Sequence, residues 1–162
     1  MARIKALLIC SLISFGIYAQ DTIITANDFE EIEHLFTDET NDEVWVINFW
    51  ATWCSPCLAE LPYFKSAAKA LNPAEVRFIF VTLDFKKQFE SKLKPYLAEH
   101  PLPGTVYNLW DMDYNSWIDQ VSPKWSGAIP VTVIRKGDEK IVLTSEVEST
   151  EELMESIASI SQ

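Results

Sequence analysis

Basic residues are scarce in this chain: 13 lysines and arginines stand against 24 acidic residues, for a formal charge of -11. That balance opposes binding to phosphate backbones and to anionic lipid surfaces, so no nucleic-acid partner is expected. Glycine is scarcer still, with four in 162 residues and no Gly/Ser linker among them. Without a linker, an internal repeat or a low-complexity tract, the chain has no point at which to divide, and one domain over residues 22–162 is expected. Histidine is limited to His34 and His100, neither at ligand spacing. Zinc usually takes four ligands, so no metal is expected, and no cofactor either. Long apolar runs are missing too: ALLICSLISFGIYA covers 14 residues, too few to span a bilayer comfortably.

That stretch follows Arg3 and Lys5 and ends at Ala19 before polar QDT, the layout of a secretory signal peptide over residues 1–19. Export is therefore expected, to a periplasmic or other extracytoplasmic compartment, with membrane contact only if the segment is retained. Cleavage would leave 11 basic residues against the same 24 acidic ones. It would also remove Cys10, whose setting suits lipid attachment poorly because bulky Ile9 precedes it. Cys54 and Cys57 then remain, each able to pair only with the other or with a second molecule.

VWVINFW (44–50) and VRFIFVTL (76–83) are continuous β-rich apolar runs, as expected of strands covered on both faces. Phe29, Ile32 and Phe36 have helical spacing, with Asn27 as their cap. Leu58, Leu61, Phe64, Ala68 and Leu71 mark a second helix, which Pro62 should kink because proline lacks the amide donor. Residues 86–98 read as an amphipathic helix, 105–110 as a third strand and 113–121 as a short helix. VTVIRKGDEKIVLT reads as a hairpin turning at Gly137 and Asp138. Ser149 and Glu152 form a capping box ahead of Leu153, Ile157 and Ile160. An early parallel unit followed by an antiparallel hairpin implies a mixed central sheet with helices on both faces, an α/β fold.

The chemistry concentrates in FWATWCSPCLAELP (49–62). Between a strand and a helix, Cys54 falls at the helix start, where unpaired amides and the helix dipole favour a thiolate. The thiolate is the species that attacks disulfides, and Cys57, one turn on, can resolve the mixed disulfide. Pro56 stiffens the intervening pair. A purely structural bridge is the competing reading, but closing so short a loop stabilises by only roughly 2 kcal/mol. Glu60 follows Cys57 by three residues, so it should share the same helix side. A carboxylate partly buried beside thiols has a raised pKa and can shuttle protons; the alternative is a solvated surface glutamate. Trp53, next to Cys54, is expected on the substrate surface, with Trp50 in the packing; Thr52 shapes the loop, and Trp110, Trp117 and Trp125 read as buried packing.

FWATWCSPCLAELP, followed downstream by GAIPVTVI, resembles the thioredoxin-like superfamily, and more closely its exported TlpA/ResA-type branch. The resemblance implies a thioredoxin fold with an added βα element before the central helix pair, and thiol-disulfide exchange as the activity. It makes Cys54 the attacking cysteine and Cys57 the resolving one, places Glu60 beneath them, and makes Pro130 the cis-proline facing them. Such a bond aims the Ile129 backbone at an approaching substrate strand. Asn48 departs from thioredoxin's buried aspartate and Phe80 from its partner lysine, which leaves Glu60 as the candidate carboxylate.

The implied partners are protein thiols or disulfides, with apocytochrome c cysteines as one class, and a separate redox partner for the dithiol. The resemblance and the proline before Cys57 favour reduction, but direction depends on relative thiolate stabilisation. Disulfide donation and a redox-silent binding module are the alternatives. A thiol peroxidase would need a Pro-x-x-x-Thr-x-x-Cys segment, and the sequence has none.

Overall fold

The computed structural model describes residues 23–161. The expected signal segment, with Cys10 and Ala19, lies outside them. Six strands form one sheet in the order β1-β4-β3-β2-β5-β6. They are β1 (Ile24–Ala26), β2 (Val44–Trp50), β3 (Val76–Thr82), β4 (Thr105–Leu109), β5 (Val131–Lys136) and β6 (Glu139–Leu143). Strands β1 to β4 are parallel, whereas β5 runs antiparallel to β2 and β6 to β5. The expected mixed sheet is present.

The apolar character of β2, interrupted at Asn48, follows from its central place. Val44, Val46 and Trp50 pack into the layer holding α2 (Ser55–Ala70), α3 (Lys94–Glu99) and α5 (Thr150–Ile160). Ile47 and Phe49 pack on the other face, with Phe29 and Ile32, with Leu35 and Phe36 of α1 (His34–Thr37), and with α4 (Tyr114–Val121). Side chains alternate along a strand, so Asn48 shares the face of Val46 and Trp50 and points toward α2. That parity carries a polar group into the layer beneath the cysteines. On the opposite face Trp117 and Trp125 are buried with Phe29, Phe36 and Phe49, their ring centroids 4.7–6.2 Å apart. Burying side chains of this size contributes about 1.5–3 kcal/mol each.

Two helices differ from expectation. Residues 27–36 do not form one capped helix: Phe29–Glu31 is a 3-10 turn led by Asp28, and α1 covers only four residues. Phe29 and Ile32, at the start and just past the end of the 3-10 turn, both reach the core, and their spacing of three suits that geometry, in which such positions eclipse. Residues 86–98 are also composite, with a 3-10 turn at Lys86–Gln88, a π-turn at Phe89–Leu93, and then α3. Pro95 has no amide to donate and its ring crowds the carbonyl four residues back, so the regular α pattern begins only beside it. By contrast α2 continues through Pro62 to Ala70.

The hairpin turns at Gly137, with φ +56°, and Asp138, after the Lys136–Glu139 pair. Buried Arg135 fixes its base by donating to the carbonyls of Leu35 at 2.9 Å, Gly137 at 2.6 Å, and Asp38. Ser149 caps α5 by accepting from the Glu152 amide at 3.1 Å, while the Glu152 carboxylate accepts from Glu148, one residue before the cap.

Candidate active site

Cys54 is the N-cap of α2, immediately after the loop that leaves β2. It forms a disulfide with Cys57 across a Cα separation of 5.3 Å. Cys54 Sγ also accepts from the Cys57 amide at 3.3 Å, so the sulfur occupies the place of a capping oxygen. Pro56, in the first turn, has no amide to leave unsatisfied there. Cys54 retains 6% exposure and Cys57 none, so an incoming sulfur reaches Cys54 first.

The Ile129–Pro130 bond is cis. The Ile129 carbonyl lies 3.7 Å from Cys54 Sγ, and Ile129 is half-buried while Pro130 is buried. Cys54, Cys57, Pro56, Ile129 and Pro130 thus gather at one end of α2. Trp53 is exposed on the same loop, and Trp50 is fully buried.

Glu60 is buried, not a solvated glutamate. Its Oε1 accepts from Asn48 Nδ2 at 2.8 Å, and its Oε2 from the Val147 amide at 2.7 Å. Asn48 also donates to Thr132 Oγ1 at 3.0 Å, and its own Oδ1 has no partner among the described residues. Desolvation pushes the Glu60 carboxyl up to about 7, against the opposing effect of its two hydrogen bonds. The nearby charges of Glu146 and Glu152 add to the rise. A group with that pKa exchanges a proton near neutrality, and it sits one helical turn from Cys57.

A second buried carboxylate, Asp84, was not anticipated. It follows β3 and accepts from the Thr52 amide at 3.0 Å and from the hydroxyls of Thr52 and Thr82. Asn108 completes the arrangement: with its amide nitrogen turned inward it donates to the carbonyls of Thr82 and Asp84, and its oxygen accepts from Trp110 Nε1 at 2.9 Å. Thr52 therefore does shape the loop, held by a residue 32 positions away. The sequence signal was an acidic residue closing an apolar strand, which reads equally as an ordinary strand end.

The AhpC/TSA family model matches residues 19–143. A thiol-disulfide oxidoreductase ResA from Oceanobacillus iheyensis is 44% identical over 39 residues, which cover 24% of this chain and 20% of that protein. A ResA from Geobacillus thermodenitrificans is 41% identical over 53 residues, covering 33% of this chain and 29% of the relative. The chain thus spans less than a third of either relative's length. Among solved structures, a thiol:disulfide interchange protein of the thioredoxin family from Chlorobium tepidum superposes with a TM-score of 0.59 at 16% identity. That match covers 75% of this chain and 82% of the other, and it shows a shared fold.

Proposed function

Because the chain belongs to the AhpC/TSA family of thioredoxin-like proteins, we propose that it is an exported thiol-disulfide oxidoreductase that reduces protein disulfides through Cys54 and Cys57. The observation that carries this reading is the Cys54–Cys57 disulfide at the amino end of α2, beside the Ile129 carbonyl. The names of the ResA relatives support the same activity.

In the reduced protein the Cys54 thiolate attacks one sulfur of a substrate disulfide. A mixed disulfide forms, the substrate S–S bond breaks, and the departing sulfur leaves as a thiolate that takes up a proton. Cys57 then loses its proton and attacks Cys54 Sγ, which releases the second substrate thiol and forms the bond seen in the structure. Two electrons pass from the dithiol to the substrate. Amides of the first turn and the helix dipole stabilise the Cys54 thiolate. Glu60 accepts the Cys57 proton in the second step, its raised pKa matching the task. The Ile129 backbone receives the substrate strand, Pro130 shapes that edge, Pro56 holds the first turn rigid, and Trp53 contacts the substrate.

Export follows from the charge and hydropathy pattern of residues 1–19, with the folded domain beginning near residue 22. A peptide beginning at Gln20, found by mass spectrometry of the secreted protein, would support cleavage; an intact amino terminus would refute it. Cysteines of apocytochrome c are a candidate substrate, and a separate dithiol protein would return the pair to the reduced state.

A redox titration of the protein against a glutathione series tests direction. A potential near that of thioredoxin, about -270 mV, supports a reductant, and one near -120 mV would make the protein a disulfide donor. Full function retained after changing both cysteines to serine would replace exchange with a binding role.

A further inference from the structure

Few large apolar side chains are exposed among the described residues, and two of them stand together beside Cys54. Trp53 is 51% exposed and Phe85 37%, and their rings stack at 6.3 Å with planes 18° apart. They belong to separate loops, one after β2 and the other after β3. Asp84 joins those loops. It holds Thr52, the neighbour of Trp53, and is itself the neighbour of Phe85. The two rings are therefore set side by side by a buried clasp, which lowers the ordering cost of a contact made on them. Aromatic area exposed on a locked backbone next to a reactive sulfur is a surface built for contact.

Two lysines follow Phe85 on its loop. Lys87 Nζ lies 5.9 Å from the Phe85 ring centre, and Lys86 Nζ lies 4.5 Å over the Trp110 ring. Neither forms an ion pair among the described residues. Residues 83–89 carry two lysines against one carboxylate, that of buried Asp84, in a chain where acidic residues outnumber basic ones 24 to 13. Screening confines charge interactions to about 8–10 Å in ordinary salt, so a bound peptide senses these lysines more than the distant acidic faces.

We propose that Trp53 and Phe85, with Lys86 and Lys87, form a docking platform for disulfide-bearing polypeptides. It selects those whose reactive cysteine is flanked by an aromatic or large aliphatic residue and by an acidic one. This rests on the dithiol-exchange reading and adds the class of substrate to it. Once a substrate sulfur meets Cys54, the next substrate residues lie within about 3.3–3.6 Å of chain per residue, within reach of the adjacent Trp53 and its stacked partner. An apolar side chain there covers the rings, and a carboxylate beside it meets the lysines.

The test is the second-order rate at which the reduced full chain reduces three disulfide peptides that differ only at the residues flanking one cysteine: Phe with Glu, Ala with Ala, and Phe with Lys. The Phe/Glu peptide should react at least about fivefold faster than the Ala/Ala peptide, the gain of one aromatic contact. Phe85→Ala should remove the preference for Phe over Ala, and Phe85→Leu should retain part of it. Lys86→Glu combined with Lys87→Glu should reverse the order of the Phe/Glu and Phe/Lys peptides. Equal rates for all three peptides with the unaltered protein, or preferences unchanged in the variants, would overturn the proposal. Hydroxyethyl disulfide, small and uncharged, separates the two levels: failure to reduce it as well as every peptide refutes dithiol exchange itself, whereas its reduction alongside equal peptide rates refutes the platform alone.

Discussion

Asn48 donates its side-chain amide to Glu60 across 2.8 Å, joining the central strand to the helix that carries both cysteines. Through the same nitrogen it reaches Thr132 on β5, while its oxygen has no partner among the described residues. The carboxylate beneath the dithiol is thus held by donors on both oxygens and has no cationic partner among the described residues.

Glu60→Gln should simplify the pH dependence of Cys54 alkylation. After reduction, the rate with iodoacetamide in the unaltered protein should show an inflection near pH 7 from Glu60, besides the one due to the thiol itself. The glutamine variant should retain only the thiol inflection. Superimposable profiles would remove Glu60 from the proton path.

The same group makes stability depend on pH. Its folded pKa, about 7, lies above the ordinary 4.5. Below the lower value the carboxyl is neutral in both states, and the stability this neutral form provides is fully present. Between the two values the unfolded chain releases a proton that the folded chain keeps, so that contribution is lost as pH rises to about 7. The loss is at most about 3 kcal/mol. Urea unfolding of the oxidised protein should show Glu60→Gln gaining on the unaltered protein across that interval. A constant difference between the two would contradict a raised pKa.

Asp84→Ala should destabilise by about 2–4 kcal/mol, because it leaves the Thr52 amide and two threonine hydroxyls without their charged acceptor. Thermal unfolding measures this, and Thr52→Ala, which removes one hydroxyl, should fall by about 1 kcal/mol. A loss below that of Thr52→Ala would refute the clasp.

Gly104→Ala should be among the most damaging single changes away from the cysteines. A Cβ at this position would lie 2.1 Å from the Phe78 carbonyl oxygen, on a backbone with φ +144°. The contact is with backbone, so it cannot be relieved by turning a side chain. A loss above about 2 kcal/mol in urea unfolding is expected.

The features legible in the sequence were those written in local pattern. VWVINFW marked β2 because both faces of a central strand must be apolar, and the spacing of Cys54, Cys57 and Glu60 placed them on successive turns of α2. Gly137 and Asp138 marked the hairpin as turn residues between two β-rich runs, and Ser149 marked the start of α5. What stayed hidden depends on contacts between distant segments. Strand β1 has three residues and is defined by pairing with β4, more than 80 positions away. Asp84 gains its meaning from Thr52, and Phe85 from Trp53, through loops whose meeting no periodicity announces. The mixed helical turns after Phe85 were concealed for another reason: apolar spacing near four is shared by α and neighbouring geometries, and Pro95 shifts the balance between them.

The amide of Val147 is the second donor to Glu60, and it stands just ahead of α5, at the far end of the chain from the cysteines. Any proton that Glu60 gains or releases must therefore be felt in that backbone unit. Its nitrogen resonance becomes a built-in gauge of the buried carboxyl, readable without touching either sulfur, and the closing helix is tied to that carboxyl through the residue just ahead of it.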